Sequence, residues 1–284
     1  MSSQAVVLFS GPDRPGLVAA TTRLLFECGA NIIHADHHLD RTADMFFQRI
    51  EFELADGAPG RAELEGRLDA LCRGLSMTWA LHYRTEPRRT AILVSRQDHC
   101  LYDLLLRQRA GELQTEFACV VSNHPDAREV AETFGLPFHH LPVTRDTRPA
   151  QEAALLALLR DYDVALVVLA RYMQILSEDF LDQIGRPIVN IHHSFLPAFS
   201  GERPYHRAYE RGVKLIGATA HYVTAELDAG PIIEQGVVRT SHADQLEDFV
   251  RKGRDVEKQV LSRAVRLHLE DRVLLHQNKT VVFG

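Results

Sequence analysis

VALVVLA, residues 164–170, is the stretch on which the fold turns. A near-continuous apolar run of this length is what a strand buried on both faces requires, and such strands belong to parallel sheets covered by helices. The pattern repeats on either side of it. Upstream, TAILVS (90–95) precedes a helix near 101–109, and FACVVSN (117–123) precedes one near 126–134. Downstream lie three more strands, IVN (188–190), LIGATAHYV (215–223) and PIIEQGVV (231–238). A long helix over about 245–268 then sets Leu246, Phe249, Val250, Gly253, Val256, Val260 and Ala264 along one stripe. A hairpin, 272–276 with 279–283, closes the chain. Residues 90–284 thus read as a Rossmann-like, mostly parallel α/β domain.

The first part of the chain has a different rhythm. A short strand (5–10) runs into the turn GPDRPG (11–16), a helix over 17–28 and a stop at Gly29. Strands over 31–39 and 44–54 form a hairpin, followed by a helix over 61–75 and a last strand over 77–83. In the second hairpin strand Phe46, Ile50, Phe52 and Leu54 share one face, and Arg49, Glu51 and Glu53 the other, which reads as solvated. This βαββαβ order is ferredoxin-like. The expected domains are therefore 1–84 and 90–284, with the polar, proline-broken 85–89 as linker and Arg88-Arg89 solvated within it.

The chain has 284 residues, enough for two cores, and a net charge of −6. That balance argues against a nucleic-acid surface, which needs clustered Lys and Arg. No run approaches the ~18 apolar residues of a membrane span, and the first residues lack a charged leader region. The four cysteines (Cys28, Cys72, Cys100, Cys119) show no paired spacing, which favours reduced thiols and a cytoplasmic protein.

The chemistry is concentrated in VNIHHSFLPAFSG (189–201). Alternation puts Asn190 and His192 on one strand face, and Ile191 and His193 on the other. Asp228 sits in the Gly-Pro turn LDAGPII (227–233). An amide, an imidazole and a carboxylate would supply an oxyanion donor, an acid/base and an orienter, since a carboxylate beside an imidazole fixes it and favours its charged form. Taken alone, the same residues could simply cap turns and bond backbone.

Residues 189–201 together with GATAHYVTAELDAGPIIEQ (217–235) resemble the folate-dependent formyltransferase family. The resemblance covers roughly 90–284 and implies that Asn190, His192 and Asp228 are catalytic. LARYMQILSEDFL (169–181) resembles the family's pterin-binding segment, which implies folate contacts at Arg171, Met173, Gln174, Ile175 and Leu176. Thr224, Ala225 and Glu226 match its second folate loop. The phosphate-holding members carry a Gly-rich loop after the first strand, because backbone amides must approach the phosphate closely. Here that loop is SRQDHC (95–100), without glycine.

SRQDHCLYDLL (95–105), SNHPD (122–126), GERPYHRAYERG (201–212) and RKGRDVEKQVL (251–261) instead resemble the formyltetrahydrofolate deformylases of the family, with a departure at Ser200–Arg203. This implies hydrolysis of 10-formyltetrahydrofolate to tetrahydrofolate and formate, supplying formate and balancing one-carbon pools for purine synthesis. It also implies no cofactor beyond the folate substrate. An N-terminal ACT domain is implied as well, with homo-oligomers and an amino-acid effector site at Asp13, Pro15, Gly16 and Asn31. Locally, turn chemistry and helix capping account for Asp13, Pro15 and Gly16. The alternatives are a formyltransferase with another acceptor and a sensor whose catalytic domain has decayed.

No metal site is expected. His37-His38, His139-His140 and His192-His193 are adjacent pairs whose side chains diverge along a strand. His34, Asp36 and His38 share an exposed face, and Trp79 reads as packing.

Overall fold

A computed structural model describes residues 3–55, 57–197 and 204–284; the side chains of Ser3 and Pro204 and the loop departure at Ser200–Arg203 lie outside the described residues. The chain divides into two units, one holding residues 1–87, 270–276 and 281–284, the other 88–269 and 277–280.

The first unit contains β1 (Ser3–Pro12), α1 (Leu17–Glu27), β2 (Ala30–Asp40), β3 (Met45–Leu54), α2 (Arg61–Leu75) and β4 (Thr78–Tyr83). Its four-stranded sheet has the order β2-β3-β1-β4, and β1 pairs antiparallel with both β3 and β4. Turn chemistry explains the β2–β3 hairpin: Asp40 Oδ1 accepts from the Thr42 and Ala43 amides, and Asp44 takes a φ of 53°. Phe9, Phe52, Leu25, Leu64 and Leu68 are fully buried between the sheet and the two helices. Each stabilises the unit by roughly 1.5–3 kcal/mol relative to exposure. Gly16, with φ 94°, caps α1 through its backbone, and no side chain supplies a cap bond.

The other face of β3 is not solvated. Phe47 and Arg49 are buried, because residues 270–276 return to this unit. Arg49 donates to the carbonyls of Asp271 and Glu270 and to the Glu51 carboxylate, while Phe47 meets the His276 ring edge-on. The reach of the second domain to residue 284 is corrected accordingly. Periodicity cannot reveal such a return, because both segments look like ordinary strand edges.

The second unit runs β5 (Arg88–Val94), α3 (His99–Arg109), β6 (Thr115–Ser122), α4 (Arg128–Thr133), β7 (Phe138–His140), α5 (Arg148–Asp161) and β8 (Leu166–Leu169). It continues through α6 (Glu178–Ile184), β9 (Ile188–His192), α7 (Pro204–Arg211), β10 (Leu215–Tyr222), β11 (Ile232–Arg239) and α8 (Leu246–Leu269). A small terminal sheet pairs β12 (Val273–His276) with β13 (Lys279–Val282). Arg88 and Arg89 lie in β5, where Arg88 donates to the His268 carbonyl, so they are strand and not linker.

The seven-stranded sheet has the order β11-β10-β9-β8-β5-β6-β7. The run β9-β8-β5-β6-β7 is parallel, and β10 pairs antiparallel with both β9 and β11. All four residues of β8 are buried, as the apolar run requires. After β5 the chain builds outward to β6 and β7, then crosses to β8 on the other side. The strand order therefore reverses between β5 and β8, and crevices at such reversals are where open α/β sheets bind ligands.

Candidate active site

The carboxyl ends of β5, β8 and β9 open into a cavity of about 680 Å³, within the usual range for small-molecule sites. Asn190, His192 and Asp228 all line it. So do Arg171, Met173, Gln174, Ile175 and Leu176 on one segment, and Thr224, Ala225 and Glu226 on another. The effector candidates lie elsewhere, in the first unit: Asp13, Pro15 and Gly16 in the β1–α1 turn, and Asn31, exposed, near the start of β2.

The segment after β8 is held from behind by polar contacts. Ser95, at the end of β5, donates its hydroxyl to Asn123 and accepts the Met173 amide. Gln151 donates to the Tyr172 hydroxyl, and Glu152 accepts from both the amide and the hydroxyl of Ser177, the cap of α6. These anchors fix the backbone of residues 173–175 while Met173 and Ile175 stay more than half exposed. The loop after β10 is shaped by close approach: a Cβ on Gly230 would lie 1.8 Å from the Tyr222 carbonyl oxygen. Only glycine permits that turn, and it delivers Asp228 with φ 56°.

Asp228 Oδ1 is 3.2 Å from His192 Nδ1 and 3.7 Å from His221 Nε2. His221 Nδ1 donates to the Tyr222 carbonyl at 2.9 Å. Its Nε2 faces Asp228 and also lies 3.2 Å from the Asn190 amide nitrogen. Hydrogen bonds from His192, then from His221, hold the Asp228 carboxyl well below the usual carboxylate range, against the opposing effect of burial. Asp228 is thus an anion that orients the imidazole through Nδ1. His192 Nε2 is buried and has no hydrogen-bond partner among the described residues, so its acid/base position stays unengaged. His192 and His221 are both buried and both line the cavity.

His221 was not singled out from sequence. Its signal is positional, because β10 pairs antiparallel with β9 and sets His221 opposite Asn190. Thr219, two residues earlier, donates to the Ser194 carbonyl and accepts the Leu196 amide, which ties down the chain leaving β9. His193 departs from strand alternation: it follows the last residue of β9 and stacks on His192, with centroids 5.2 Å apart. Burial, with the nearby Arg171 charge, depresses His193 to about 3, so it stays neutral.

A second cluster lies on the α8 side of the cavity. Glu257 is buried and receives hydrogen bonds from His99 and Tyr205, with Arg171 Nε 3.4 Å away. Burial pushes its carboxyl up, but the His99 bond, the Arg171 charge and the Tyr205 hydroxyl outweigh it and hold the group below its ordinary value. His99, Cys100 and Glu257 offer three ligand atoms within 4.8 Å. They do not suit a metal: both Glu257 oxygens already accept hydrogen bonds, a guanidinium sits beside them, and burial keeps Cys100 a thiol. Arg171 itself takes φ 66°, a left-handed backbone that costs an L-residue about 1–2 kcal/mol. The loop 95–98 turns side chains toward this cluster, with Gln97 Oε1 accepting two hydrogen bonds from Arg171.

Comparison with known proteins agrees with this layout. The Formyl transferase family model matches residues 88–265, which include the whole lining of the cavity. The class of the second unit is therefore a formyl transferase domain. The formyltetrahydrofolate deformylase of Synechocystis sp. is 53% identical over 99% of this chain and 98% of its own. The crystal structure of a formyltetrahydrofolate deformylase from Pseudomonas syringae pv. tomato superposes with a TM-score of 0.95 at 46% identity, covering 100% of this chain and 95% of that one. Glycinamide ribonucleotide transformylase 1 from Symbiobacterium toebii reaches a TM-score of 0.66 at 32% identity, covering 98% of that chain but 72% of this one. The chain belongs to the formyltetrahydrofolate deformylase family.

Proposed function

We propose that the protein hydrolyses 10-formyltetrahydrofolate to tetrahydrofolate and formate, with Asn190, His192 and Asp228 as its catalytic residues. The observation that carries this reading is the convergence of the three side chains in one cavity, with Asp228 on Nδ1 of His192 and Nε2 left unengaged. The exposed apolar side chains of Met173 and Ile175 and the fixed backbone between them suit a flat pterin ring. Residues 224–226 provide the facing loop.

In the mechanism, His192 Nε2 accepts a proton from water as the oxygen adds to the formyl carbon. Asn190 and the protonated His192 stabilise the tetrahedral oxyanion, and Asp228 stabilises the imidazolium. His192 then protonates the leaving arylamine nitrogen. No cofactor takes part in these steps. The expected result is acceptor-free formate release by the wild type and a loss of about 10²–10⁴-fold in His192→Ala, the usual contribution of a positioned acid/base. A folded, folate-binding wild type that releases no formate would favour the transferase or the decayed sensor.

The first unit is proposed to be an ACT-type module that binds a small amino acid at Asp13, Pro15, Gly16 and Asn31 and joins copies of the chain. Its β4-β1-β3-β2 order and largely exposed edge strand β2 support this. A thermal-shift screen of the amino acids tests it, and no shift with any of them defeats it. The role in one-carbon and purine metabolism follows from the reaction. A cytoplasmic setting is supported by four free, buried cysteines. No described helix is long and apolar enough to cross a membrane.

A further inference from the structure

We propose that Arg171 forms a subsite for a small carboxylate within the cavity, and that its ligand is the formate product. This rests on the hydrolytic reading above. Transfer of a formyl group to an amine creates no new anion. Hydrolysis does: the water oxygen bonds to carbon, the C–N bond breaks, nitrogen keeps one proton, and formate leaves as an anion with the second proton passed to solvent. The new anion forms beside the Asp228 carboxylate, which repels it. A fixed cation close by offsets that repulsion.

Arg171 fits that role in several independent ways. It lines the cavity, yet the residue is only 7% exposed. Nε and Nη2 are anchored on Gln97 Oε1 at 3.0 and 2.8 Å, which fixes the guanidinium plane. Nη1 is buried and has no hydrogen-bond partner among the described residues. A buried donor left in that condition is costly and calls for a ligand. The left-handed backbone at φ 66° is one that glycine would adopt freely, so a long cationic side chain is held here at a conformational cost.

The other charged groups are compatible with an anion here. Glu257 faces the Nε edge of Arg171, and its oxygens are taken up by His99 and Tyr205. His193, stacked on His192 and within reach of the Arg171 charge, is neutral. Arg254 also lines the cavity but is exposed, so it can guide an anion out more readily than hold it. Guanidinium is the group best matched to a carboxylate, and three heavy atoms limit such a ligand to a dissociation constant of ~1 mM or weaker.

The test is titration of carbon-13 formate into the full-length protein saturated with tetrahydrofolate, followed by NMR, for wild type, Arg171→Met and Arg171→Lys. Circular dichroism and thermal melting establish that the variants fold, and tetrahydrofolate is raised to saturation separately for each. Millimolar binding in the wild type, at least tenfold weaker in Arg171→Met and intermediate in Arg171→Lys, is expected. Equal binding in all three, or none in the wild type at tens of millimolar, overturns the subsite. Should both variants misfold, a wild-type crystal soaked in formate decides: a carboxylate on Nη1 supports the proposal, and its absence there overturns it. A protein that hydrolyses its substrate but fails these tests loses only the subsite. One that releases no formate from 10-formyltetrahydrofolate loses the hydrolytic reading itself.

Discussion

Two buried clusters in the second unit use nearly the same parts. In one, Asp228 stands beside His192 and His221; in the other, Glu257 stands beside His99, with Tyr205 and Arg171. Both carboxylates are held ionised by the donors around them. The difference lies in what is left over. Around Glu257 both oxygens are committed, to Tyr205 and His99, as in a clamp, and the donor left over is Arg171 Nη1. Around Asp228, His192 keeps one nitrogen without a partner, and the carboxylate is one-fifth exposed. A carboxylate–histidine pair becomes a candidate for catalysis through its unsatisfied valence, while a fully satisfied pair is structure.

The comparison can be broken from either side. Glu257→Ala should have the larger effect, on stability: it leaves Arg171 buried beside no anion, and about 3–5 kcal/mol should be lost in urea unfolding. A loss under 1 kcal/mol would show that Glu257 is not the clamp described. Asn190→Ala should leave stability nearly intact and cut turnover by ~10²–10³, the cost of one oxyanion donor. If KM rises while kcat stays the same, Asn190 binds folate and does not act on the transition state.

The smallest effect concerns Asp228 and acid. Its native pKa is depressed by the His192 and His221 hydrogen bonds. It therefore contributes stability that is fully present above its unfolded value of ~3.9 and is lost as pH falls through the native value. The margin of wild type over Asp228→Asn should be flat near neutrality and narrow only below about pH 4. A margin that already shrinks between pH 8 and 6 would place the titration on another group.

Much of this was legible in the sequence, for identifiable reasons. VALVVLA reads as a doubly covered strand, found at Leu166–Leu169, and the 3.6-residue stripe predicts a helix over about 245–268, found at Leu246–Leu269. Strand alternation put Asn190 and His192 together, and the cavity gathers every candidate folate residue of the second unit. What stayed hidden depends on pairing between distant segments. His221 reaches the site through antiparallel register with β9, and the Glu257 cluster joins α8, the first residue of α3 and the segment after β8. The burial of Arg49 needs residues 270 and 271, which no local period announces. Short elements such as β7, α6 and α7 carry too few turns or alternations to register.

The central claim is that water is the nucleophile at His192. A single turnover of 10-formyltetrahydrofolate in oxygen-18 water, with no acceptor present and the formate analysed by mass spectrometry, tests it most directly. One solvent oxygen in each formate, formed by the wild type and not by His192→Ala, is the predicted result. Formate without solvent oxygen, or a formyl group that leaves tetrahydrofolate only when an amine is supplied, would contradict it.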